Sequence, residues 1–172
     1  VKVGLRRREA NPGYTGNEEF NYFLSVLFPD EELMIMPYNR VVKDLNGLSE
    51  EEFISKIKEK FTVSESSTQV APSKKGEFGM YLGRKWYTLT AKEEILSSDP
   101  VDGLDVAVLQ NNVLEPLLGI HDPKTDKRID FVGGIRGLGE LERRCDNDCV
   151  LAFSMYATSI GELFAVADAG LL

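Results

Sequence analysis

The stretch from Leu104 to Ile120 constrains the fold more than any other part of this sequence, because it is the densest apolar segment. Its large apolar residues recur mostly at steps of three and four, which places most of them on one side of a helix. Asp102 or Asp105 can cap the start of this helix, and Gly119 can close its end in the left-handed conformation. The pattern therefore predicts a buried central helix against which strands pack.

Two further helices are predicted from their N-terminal signals. Ser49 and Glu52 have the spacing of a capping box, in which each side chain accepts a hydrogen bond from the other residue's backbone amide. Apolar residues at helical spacing follow, so an amphipathic helix is predicted from about residue 50 to residue 61. Ser159 and Glu162 form a second capping box, ahead of a helix of about ten residues.

Runs of aromatic and β-branched residues predict the strands. The strand-like and helical stretches interleave, and a hairpin with its turn near Gly83 and Arg84 also occurs. This combination favours an α+β fold in which a mixed or antiparallel sheet is covered by amphipathic helices. A single domain is predicted over residues 1–172, with a mobile, Ser-rich loop at about 64–76. The predicted strands are residues 20–28, residues 33–42 with an interruption at Pro37, the two arms of the hairpin at 79–90, residues 128–132 and residues 150–156.

The overall charge argues against several classes of partner. The chain has 172 residues, a formal net charge of −8 and a pI of about 4.8. This charge opposes nonspecific attraction to phosphate backbones, so nucleic acid is not expected as a partner. No apolar run approaches the length of a membrane span, so no membrane partner is expected either. Cys145 and Cys149 are predicted to be free thiols in a reducing compartment, which favours a cytoplasmic location.

A glycine-rich stretch between a predicted strand and a predicted helix is the first candidate site. Gly133 and Gly134 follow the strand at 128–132, in an arrangement where backbone amides can hold a phosphate. Arg136 can add a bidentate contact to the same anion. The spacing matches neither the dinucleotide-binding fingerprint nor the P-loop. Glycines required only for the geometry of a turn are the favoured alternative.

Three aspartates spaced three residues apart are the second candidate. Asp99, Asp102 and Asp105 lead into the central helix, and carboxylate oxygens suit Mg²⁺. Asp105 is the candidate metal ligand among them. The more common role of such residues is to cap a helix, where the helix dipole favours them. His121, the single histidine, has no set of partners whose spacing indicates a catalytic triad.

Three stretches of the sequence resemble a bacterial family of uncharacterised conserved proteins, whose members are often labelled SpoOJ/ParA/ParB/RepB family proteins. The order and spacing of these stretches carry the resemblance, which extends over most of the chain. The family commonly has His-Arg where Asn39 and Arg40 stand here, so Arg40 matches the family pattern and Asn39 departs from it. The three stretches are Met36–Val42 with Leu45–Ser49, Leu104–Ile120 and Ser159–Gly170.

The resemblance implies a role in nucleotide chemistry. Members resemble ParB and sulfiredoxin-like proteins, in which an Asp-Gly-His-His-Arg motif lies in a nucleotide-handling amino-terminal half. That motif is absent here, because the chain has a single histidine. The resemblance therefore implies the carboxy-terminal part of a longer protein, with its own amino-terminal domain as a partner. For the full-length protein it implies a nucleotide and Mg²⁺ as cofactors, and relatives in this superfamily include kinases of free serine.

Three functional hypotheses follow. In the first, this part completes a nucleotide-dependent phosphotransfer or hydrolysis site of the full-length protein, with Asp105 as a metal ligand. Its anion contacts would then be Arg40, Arg136, Gly133 and Gly134. In the second, it is a non-catalytic module for partner binding or for self-association as a homodimer. In the third, it is an accessory of DNA partition, which the acidic charge and the lack of a helix-turn-helix pattern oppose. No catalytic residue is assigned, and the chain by itself is not expected to be an enzyme.

Overall fold

The computed structural model describes residues 2–171 of the chain. Their contacts divide them into two compact units, one extending to Leu33 and the other beginning at Met34. The predicted single domain over residues 1–172 stays a prediction, and its two end residues, Val1 and Leu172, lie outside the described residues.

The smaller unit consists of one helix and a largely irregular chain. Helix α1 spans Lys2–Ala10, and short 3₁₀ turns occur at Glu19–Asn21 and Asp30–Glu32. The prediction of a strand at residues 20–28 is wrong, because residues 23–28 form neither a strand nor a helix and are exposed. A strand needs a neighbour that pairs with its backbone and a layer that covers its apolar face. The described part of this unit supplies neither.

The larger unit contains a six-stranded sheet. Its strands are β1 (Tyr38–Val42), β2 (Phe61–Ser66), β3 (Glu77–Leu82), β4 (Lys85–Ala91), β5 (Ile129–Gly133) and β6 (Leu151–Met155). They lie in the order β2-β4-β3-β6-β1-β5, and every neighbouring pair is antiparallel. The predicted α+β class is therefore confirmed, and of the two predicted sheet types the antiparallel one occurs.

Helices cover this sheet on both faces. The helices of the larger unit are α2 (Glu50–Lys60), α3 (Asp105–Leu109), α4 (Gly139–Asn147) and α5 (Ile160–Asp168). On one face, Phe53 of α2 and Val108 of α3 belong to the same apolar cluster as Phe153 of β6. On the other face, Leu141 of α4 belongs to a cluster with Trp86 of β4. Within residues 2–171, no helix has the length and hydrophobicity needed to cross a membrane.

The central helix predicted from Leu104 is present, but it changes pitch. Helix α3 continues directly into a π-helical turn at Gln110–Leu114. Gly119 ends the stretch at a φ of +65°, the left-handed conformation that was predicted for it. The change of pitch leaves the apolar side facing the core. The buried residues of this stretch include Val108, Leu109, Val113, Leu114 and Leu118.

The local signals for helix starts and for the hairpin are confirmed. The capping boxes that begin at Ser49 and Ser159 are both formed, and they start α2 and α5. The hairpin between β3 and β4 turns at Gly83 and Arg84, whose φ angles are +58° and +61°. Positive φ at both central residues is the geometry of the tight two-residue turn that joins twisted strands.

Two connections differ from their predicted form. The strand predicted from residue 33 begins only at Tyr38, because Pro37 has no amide hydrogen to donate to a strand ladder. The loop predicted at about 64–76 contributes its first three residues to β2, and Val70 within it is buried. The mobility of the rest of this loop stays a prediction.

Candidate anion-binding site

Several of the predicted site residues lie at one end of the sheet. The register pairs Tyr38 with Gly133 and Arg40 with Phe153, so the start of β1 lies beside the ends of β5 and β6. Strand β3 begins at the same end, because it is antiparallel to β6. We define the site end of the sheet as the starts of β1 and β3 together with the ends of β5 and β6. Gly133 and Gly134 belong to it. Arg40 lies in the middle of β1, and its guanidinium reaches the site end through a hydrogen bond to the carbonyl of Tyr38.

Arg40 is the most unusual residue at the site end, because it is charged and has only 9% of its surface exposed. Its guanidinium lies over the ring of Phe131, 5.5 Å from the ring centre, and donates a hydrogen bond to the carbonyl of Tyr38. The same Phe131 ring stacks on the ring of Tyr38, with centres 5.1 Å apart. The pairing of β1 with β5 therefore places an aromatic wall beside the guanidinium.

No acidic partner accompanies this buried charge within residues 2–171. None of the ion pairs in that range includes Arg40. Burial lowers the pKa of the Arg40 guanidinium to about 10, so the group is still charged at neutral pH. Buried charges are normally paired, because an isolated charge loses its hydration without compensation. The guanidinium is therefore chemically suited to an anion as its partner.

Asp105 is also buried, with 8% of its surface exposed, and it does not cap its helix. Leu104 holds the N-cap position of α3, and no side chain caps that end. The prediction that Asp102 or Asp105 caps the helix is therefore wrong. The Asp105 carboxylate instead accepts a 2.9 Å hydrogen bond from the amide of Gly76, just before β3. This bond ties α3 to the site end of the sheet.

The second oxygen of Asp105 is left without a partner. Among the described residues, Oδ2 is buried and forms no hydrogen bond. Burial raises the pKa of this carboxyl above its ordinary value, and the hydrogen bond from Gly76 offsets part of that rise. The side chain of Lys75, next to Gly76, pairs with Glu162 of α5 at 2.6 Å. Asp105 thus lies close to a charged pair that joins the loop before β3 to α5.

The three aspartates predicted for Mg²⁺ are not brought together as a metal site. Asp99 accepts hydrogen bonds from the amides of Val101 and Asp102, at 2.8 and 2.9 Å, and so stabilises a local turn. Across residues 2–171, no group of three or more His, Cys, Asp or Glu side chains is placed to hold a metal ion. A metal-binding role for Asp105 stays a prediction that would require ligands beyond these.

Close packing at the site end explains one of the glycines that follow β5. The amide of Gly134 donates a 2.8 Å hydrogen bond to the carbonyl of Pro37. A Cβ at Gly134 would stand 2.9 Å from atoms of Pro37, so a side chain there would force the two segments apart. Gly133 has no such contact. The role of both glycines in anion binding stays a prediction, although the amide of Gly134 is already engaged.

Arg136 lies in the 3₁₀ turn Gly134–Arg136 and is exposed. It forms a loose ion pair with Glu140, in which Nη1 and Oε1 are 3.9 Å apart. Exposed pairs of this kind add little stability, because water and salt screen them. An open cleft of about 300 Å³ lies beside the turn, lined in part by Pro37, Asn39 and Gly134. Neither Arg136 nor Arg40 is among its lining residues.

Comparison with known proteins places the sequence in a family. A family model described as a protein of unknown function, DUF1015, matches residues 1–107 of the 172. The chain belongs to this family. No curated protein and no solved structure matches the chain. None of these findings concerns ParB-like or sulfiredoxin-like proteins, so that relationship stays a prediction.

The DUF1015 match divides the predicted site residues. Arg40 and Asp105 fall within the matched range, whereas Gly133, Gly134 and Arg136 lie beyond it. The two residues with unusual burial are therefore the ones that belong to the matched part of the chain.

Two buried polar residues at the site end were not predicted from the sequence. Asn39 accepts a 3.0 Å hydrogen bond from the amide of Met155, and the hydroxyl of Ser154 donates a 2.6 Å bond to the carbonyl of Val70. Both bonds join segments that are far apart in the sequence, so no local pattern indicates them. They fix the end of β6 to β1 and to the loop before β3, and thereby hold the frame in which Arg40 lies.

Proposed function

We propose that this chain is the carboxy-terminal part of a ParB/sulfiredoxin-like protein, and that Arg40 supplies an anion contact to a nucleotide-dependent phosphotransfer or hydrolysis site. The observation that supports the proposal is the buried guanidinium of Arg40, which has no acidic partner among residues 2–171. An unpaired buried cation destabilises a fold. A bound phosphate would pair with it and remove that penalty.

Arginine suits a phosphate contact for geometric reasons. The planar guanidinium can donate two parallel hydrogen bonds to phosphate oxygens, and this contact is stronger where water is excluded. The bond from Arg40 to the Tyr38 carbonyl and the contact with the Phe131 ring limit rotation of the guanidinium. Arg40 would then orient a phosphate and neutralise charge that develops during transfer.

The remaining parts of the proposed reaction come from the family resemblance. A small hydroxy amino acid such as serine is the proposed phosphate acceptor. The proposed cofactors of the full-length protein are a nucleotide and Mg²⁺, and the proposed location is the bacterial cytoplasm. Arg40 acts in this scheme as a contact from the carboxy-terminal part, while the amino-terminal domain holds the nucleotide.

Nucleotide turnover by the full-length protein, with ATP, ADP or CTP, tests the role of Arg40. Arg40→Met keeps the apolar stem and removes the charge, so the fold should be retained and can gain stability. Turnover should fall by about 100-fold or more, as for the loss of one positioned donor to a developing charge. Arg40→Lys should restore only part of the rate, because an ammonium group cannot make the forked contact.

Arg143 provides the matched control for this experiment. It is an exposed arginine whose guanidinium pairs with Glu140 at 2.6 Å. Arg143→Met should leave turnover unchanged, since the pair lies on the surface and outside the site end. An Arg40→Met protein that is folded, as judged by circular dichroism, and that turns over nucleotide at the wild-type rate would contradict the proposal.

A second candidate function, a non-catalytic module for self-association or partner binding, is supported by a different observation. The apolar side chains of residues 22–28 are exposed on the smaller unit. Exposed apolar patches of this kind commonly mark interaction sites. Light scattering of the purified chain tests the self-association form of this function: a dimer supports it, and a monomer opposes it.

A further inference from the structure

The open cleft at the site end is lined without any charged side chain. Its volume is about 300 Å³, and its walls come from the start of β1, the end of β6 and the loops before β3 and α4. Pro37, Pro72, Leu138 and Met155 line it, and no lining residue within the range 2–171 is charged. We call it the uncharged cleft. Sites for small ligands are typically concave and mostly apolar, with a few polar groups that orient the ligand.

Asn39 contributes a polar group to the uncharged cleft. Only 2% of its surface is exposed, and its Oδ1 accepts the 3.0 Å hydrogen bond from the amide of Met155. Its Nδ2 forms no hydrogen bond with any residue in the range 2–171. In that range, the fully buried side-chain atoms that lack a hydrogen bond are Oδ2 of Asp105 and Oε1 of Gln110, so Nδ2 of Asn39 is not enclosed. Because Asn39 lines the cleft, this donor is accessible from it.

The fold fixes the orientation of the Asn39 side chain. Backbone pairing between β1 and β6 ends at Arg40 and Phe153, and beyond that point Oδ1 of Asn39 supplies the acceptor for the amide of Met155. Because Oδ1 is the acceptor of the carboxamide, Nδ2 must be turned away from that amide. A donor that is already held in place loses little freedom when a ligand binds to it. Nδ2 is therefore a pre-oriented donor for a ligand oxygen or ring nitrogen.

The main chain that borders the cleft is also free to bind a ligand. Tyr156 and Ala157 follow β6 and line the cleft, and their amides and carbonyls form no hydrogen bond with any residue in the range 2–171. A neutral amide offers a carbonyl for Nδ2 of Asn39 and an N–H for a main-chain carbonyl. A carboxylate would lose hydration in the cleft without a cation to pair with, and an ammonium group cannot accept a hydrogen bond from Nδ2.

We propose that the uncharged cleft binds a small neutral amide, whose carbonyl accepts a hydrogen bond from Nδ2 of Asn39 and whose apolar part packs against Pro37, Pro72 and Met155. This site is separate from the proposed phosphate contact. Asn39 and Arg40 are consecutive residues of β1, so their side chains point to opposite faces of the sheet, and Arg40 does not line the cleft. The inference therefore goes beyond the proposed function and does not rest on it.

NMR titration of the chain with benzamide, benzoate and benzylamine tests this site without an activity assay. The three probes share a phenyl ring and differ in the charge and hydrogen-bonding capacity of the attached group. Benzamide should shift the side-chain amide signals of Asn39 saturably, with a Kd on the order of 1 mM, and the two charged probes should bind at least about tenfold more weakly. Asn39 signals that do not move with about 10 mM benzamide would overturn the proposal, because the donor would then hold only water. Benzoate that binds as tightly as benzamide would overturn it as well.

Asn39→Asp removes the donor and keeps the acceptor. A carboxylate oxygen can still accept the hydrogen bond from the amide of Met155, whereas the position of Nδ2 is then held by an oxygen that repels a ligand carbonyl. The affinity for benzamide, followed through the backbone signals of Tyr156 and Ala157, should fall by at least about tenfold. A folded Asn39→Asp protein that binds benzamide as tightly as the wild type would refute the contact with Asn39.

Ala157→Leu and Ala167→Leu form a matched pair that tests the cleft without changing Asn39. Ala157 lines the cleft, whereas Ala167 is exposed on α5 and does not line it. Ala157→Leu adds bulk to the wall of the cleft and should weaken benzamide binding by about tenfold or more. Ala167→Leu should leave the affinity unchanged. Equal affinities of the two variants for benzamide would show that the probe binds elsewhere, and the proposal would fail.

Benzamide binding and nucleotide turnover together separate this inference from the proposed function. Arg40→Met should leave the affinity for benzamide unchanged, because the side chain of Arg40 points to the opposite face of the sheet. Unchanged benzamide binding with undiminished turnover in that variant would refute the phosphate contact and retain the amide site. Absence of benzamide binding by the wild-type protein, with turnover that depends on Arg40, would do the reverse.

Discussion

Two apolar stretches of this chain have a similar sequence character and opposite structures. Residues 151–155 form β6, in which every residue is buried, whereas residues 22–28 are exposed along their whole length. Each stretch consists of apolar residues and a single serine, Ser154 in the first and Ser25 in the second. Strand β6 lies between β3 and β1, and apolar clusters cover both of its faces. Residues 22–28 have neither kind of neighbour within residues 2–33.

The comparison shows that strand-like side chains do not form a strand by themselves. A neighbouring strand and a layer that covers the apolar face are needed as well. Strand propensity is largely the ability of side chains to pack on a pleated, covered surface, and it has little effect without that surface. For β6 the surface is supplied by the larger unit itself. For residues 22–28, the described part of the smaller unit supplies no such surface.

Truncating one leucine in each stretch should give the largest difference in the free energy of unfolding. Leu151 is fully buried in β6, so Leu151→Ala should lower the free energy of unfolding by about 2–5 kcal/mol. Leu24→Ala in the same chain should change it by less than about 0.5 kcal/mol, because the side chain is already solvated. Urea unfolding followed by circular dichroism measures both values. Equal losses would show that the segment is buried in solution.

A pair of glycines tests how tightly β6 is enclosed. A Cβ at Gly79 would clash with the hydroxyl of Ser154 and would stand 2.6 Å from the carbonyl of Val70. Gly79→Ala should therefore lower the free energy of unfolding by about 1–3 kcal/mol through overpacking. Gly133→Ala meets no atom within 4 Å and should cost less than about 1 kcal/mol. A Gly79→Ala protein as stable as Gly133→Ala in urea would show that the loop at Val70 is not held against the sheet.

The parts of the fold that sequence predicts well depend on residues close together in the chain. The capping boxes at Ser49 and Ser159 and the turn at Gly83 and Arg84 each involve a few consecutive residues, and all were found. The strand predicted at residues 20–28 depends instead on neighbours elsewhere, and no pattern within the stretch says whether they exist. The pitch change after Leu109 was not predicted either, because the apolar spacing is compatible with several helical pitches.

The candidate site depended still more on distant contacts. Arg40 was selected through the family resemblance, and its burial follows from pairing with β5 and from contact with Phe131. Asp105 was predicted as a cap or a metal ligand, whereas its partner is the amide of Gly76 in a loop far earlier in the chain. These contacts follow from the strand order β2-β4-β3-β6-β1-β5, which residue spacing does not reveal.

Replacing one serine in each unit by alanine should give a smaller difference in the free energy of unfolding. The Ser49 hydroxyl accepts a 3.2 Å hydrogen bond from the amide of Glu52, so Ser49→Ala should lower the free energy of unfolding by about 1 kcal/mol. Ser25→Ala, in the exposed stretch of residues 22–28, removes an exposed hydroxyl and should be neutral within about 0.5 kcal/mol. The urea concentrations at which the two variants are half unfolded measure this difference. A Ser25→Ala loss as large as that of Ser49→Ala would mean that Ser25 has a partner in solution.

The smallest expected effects are shifts in the pKa values of two carboxyl groups, one in each unit. Hydrogen bonds, the largest from the backbone of Thr15, lower the pKa of Glu18 to about 2, whereas burial raises the pKa of Asp105. NMR titration of the side-chain carboxyls should therefore find these two groups displaced in opposite directions from their ordinary values. Displacement of both in the same direction would contradict the contrast between a hydrated and a buried unit.

The two displacements also predict opposite pH dependences of stability. Asp105 binds its proton more tightly in the folded chain, so its contribution declines as pH rises from the ordinary aspartate pKa through the raised one. Asp105→Asn should therefore gain stability relative to the wild type at neutral pH, and this gain should disappear at acid pH. Glu18 stabilises fully above the ordinary glutamate pKa and loses that effect as pH falls towards about 2, so Glu18→Gln should be less stable at neutral pH only. If the urea midpoint of Asp105→Asn followed that of the wild type at every pH, the Asp105 carboxylate would be hydrated in solution, as exposed carboxylates are.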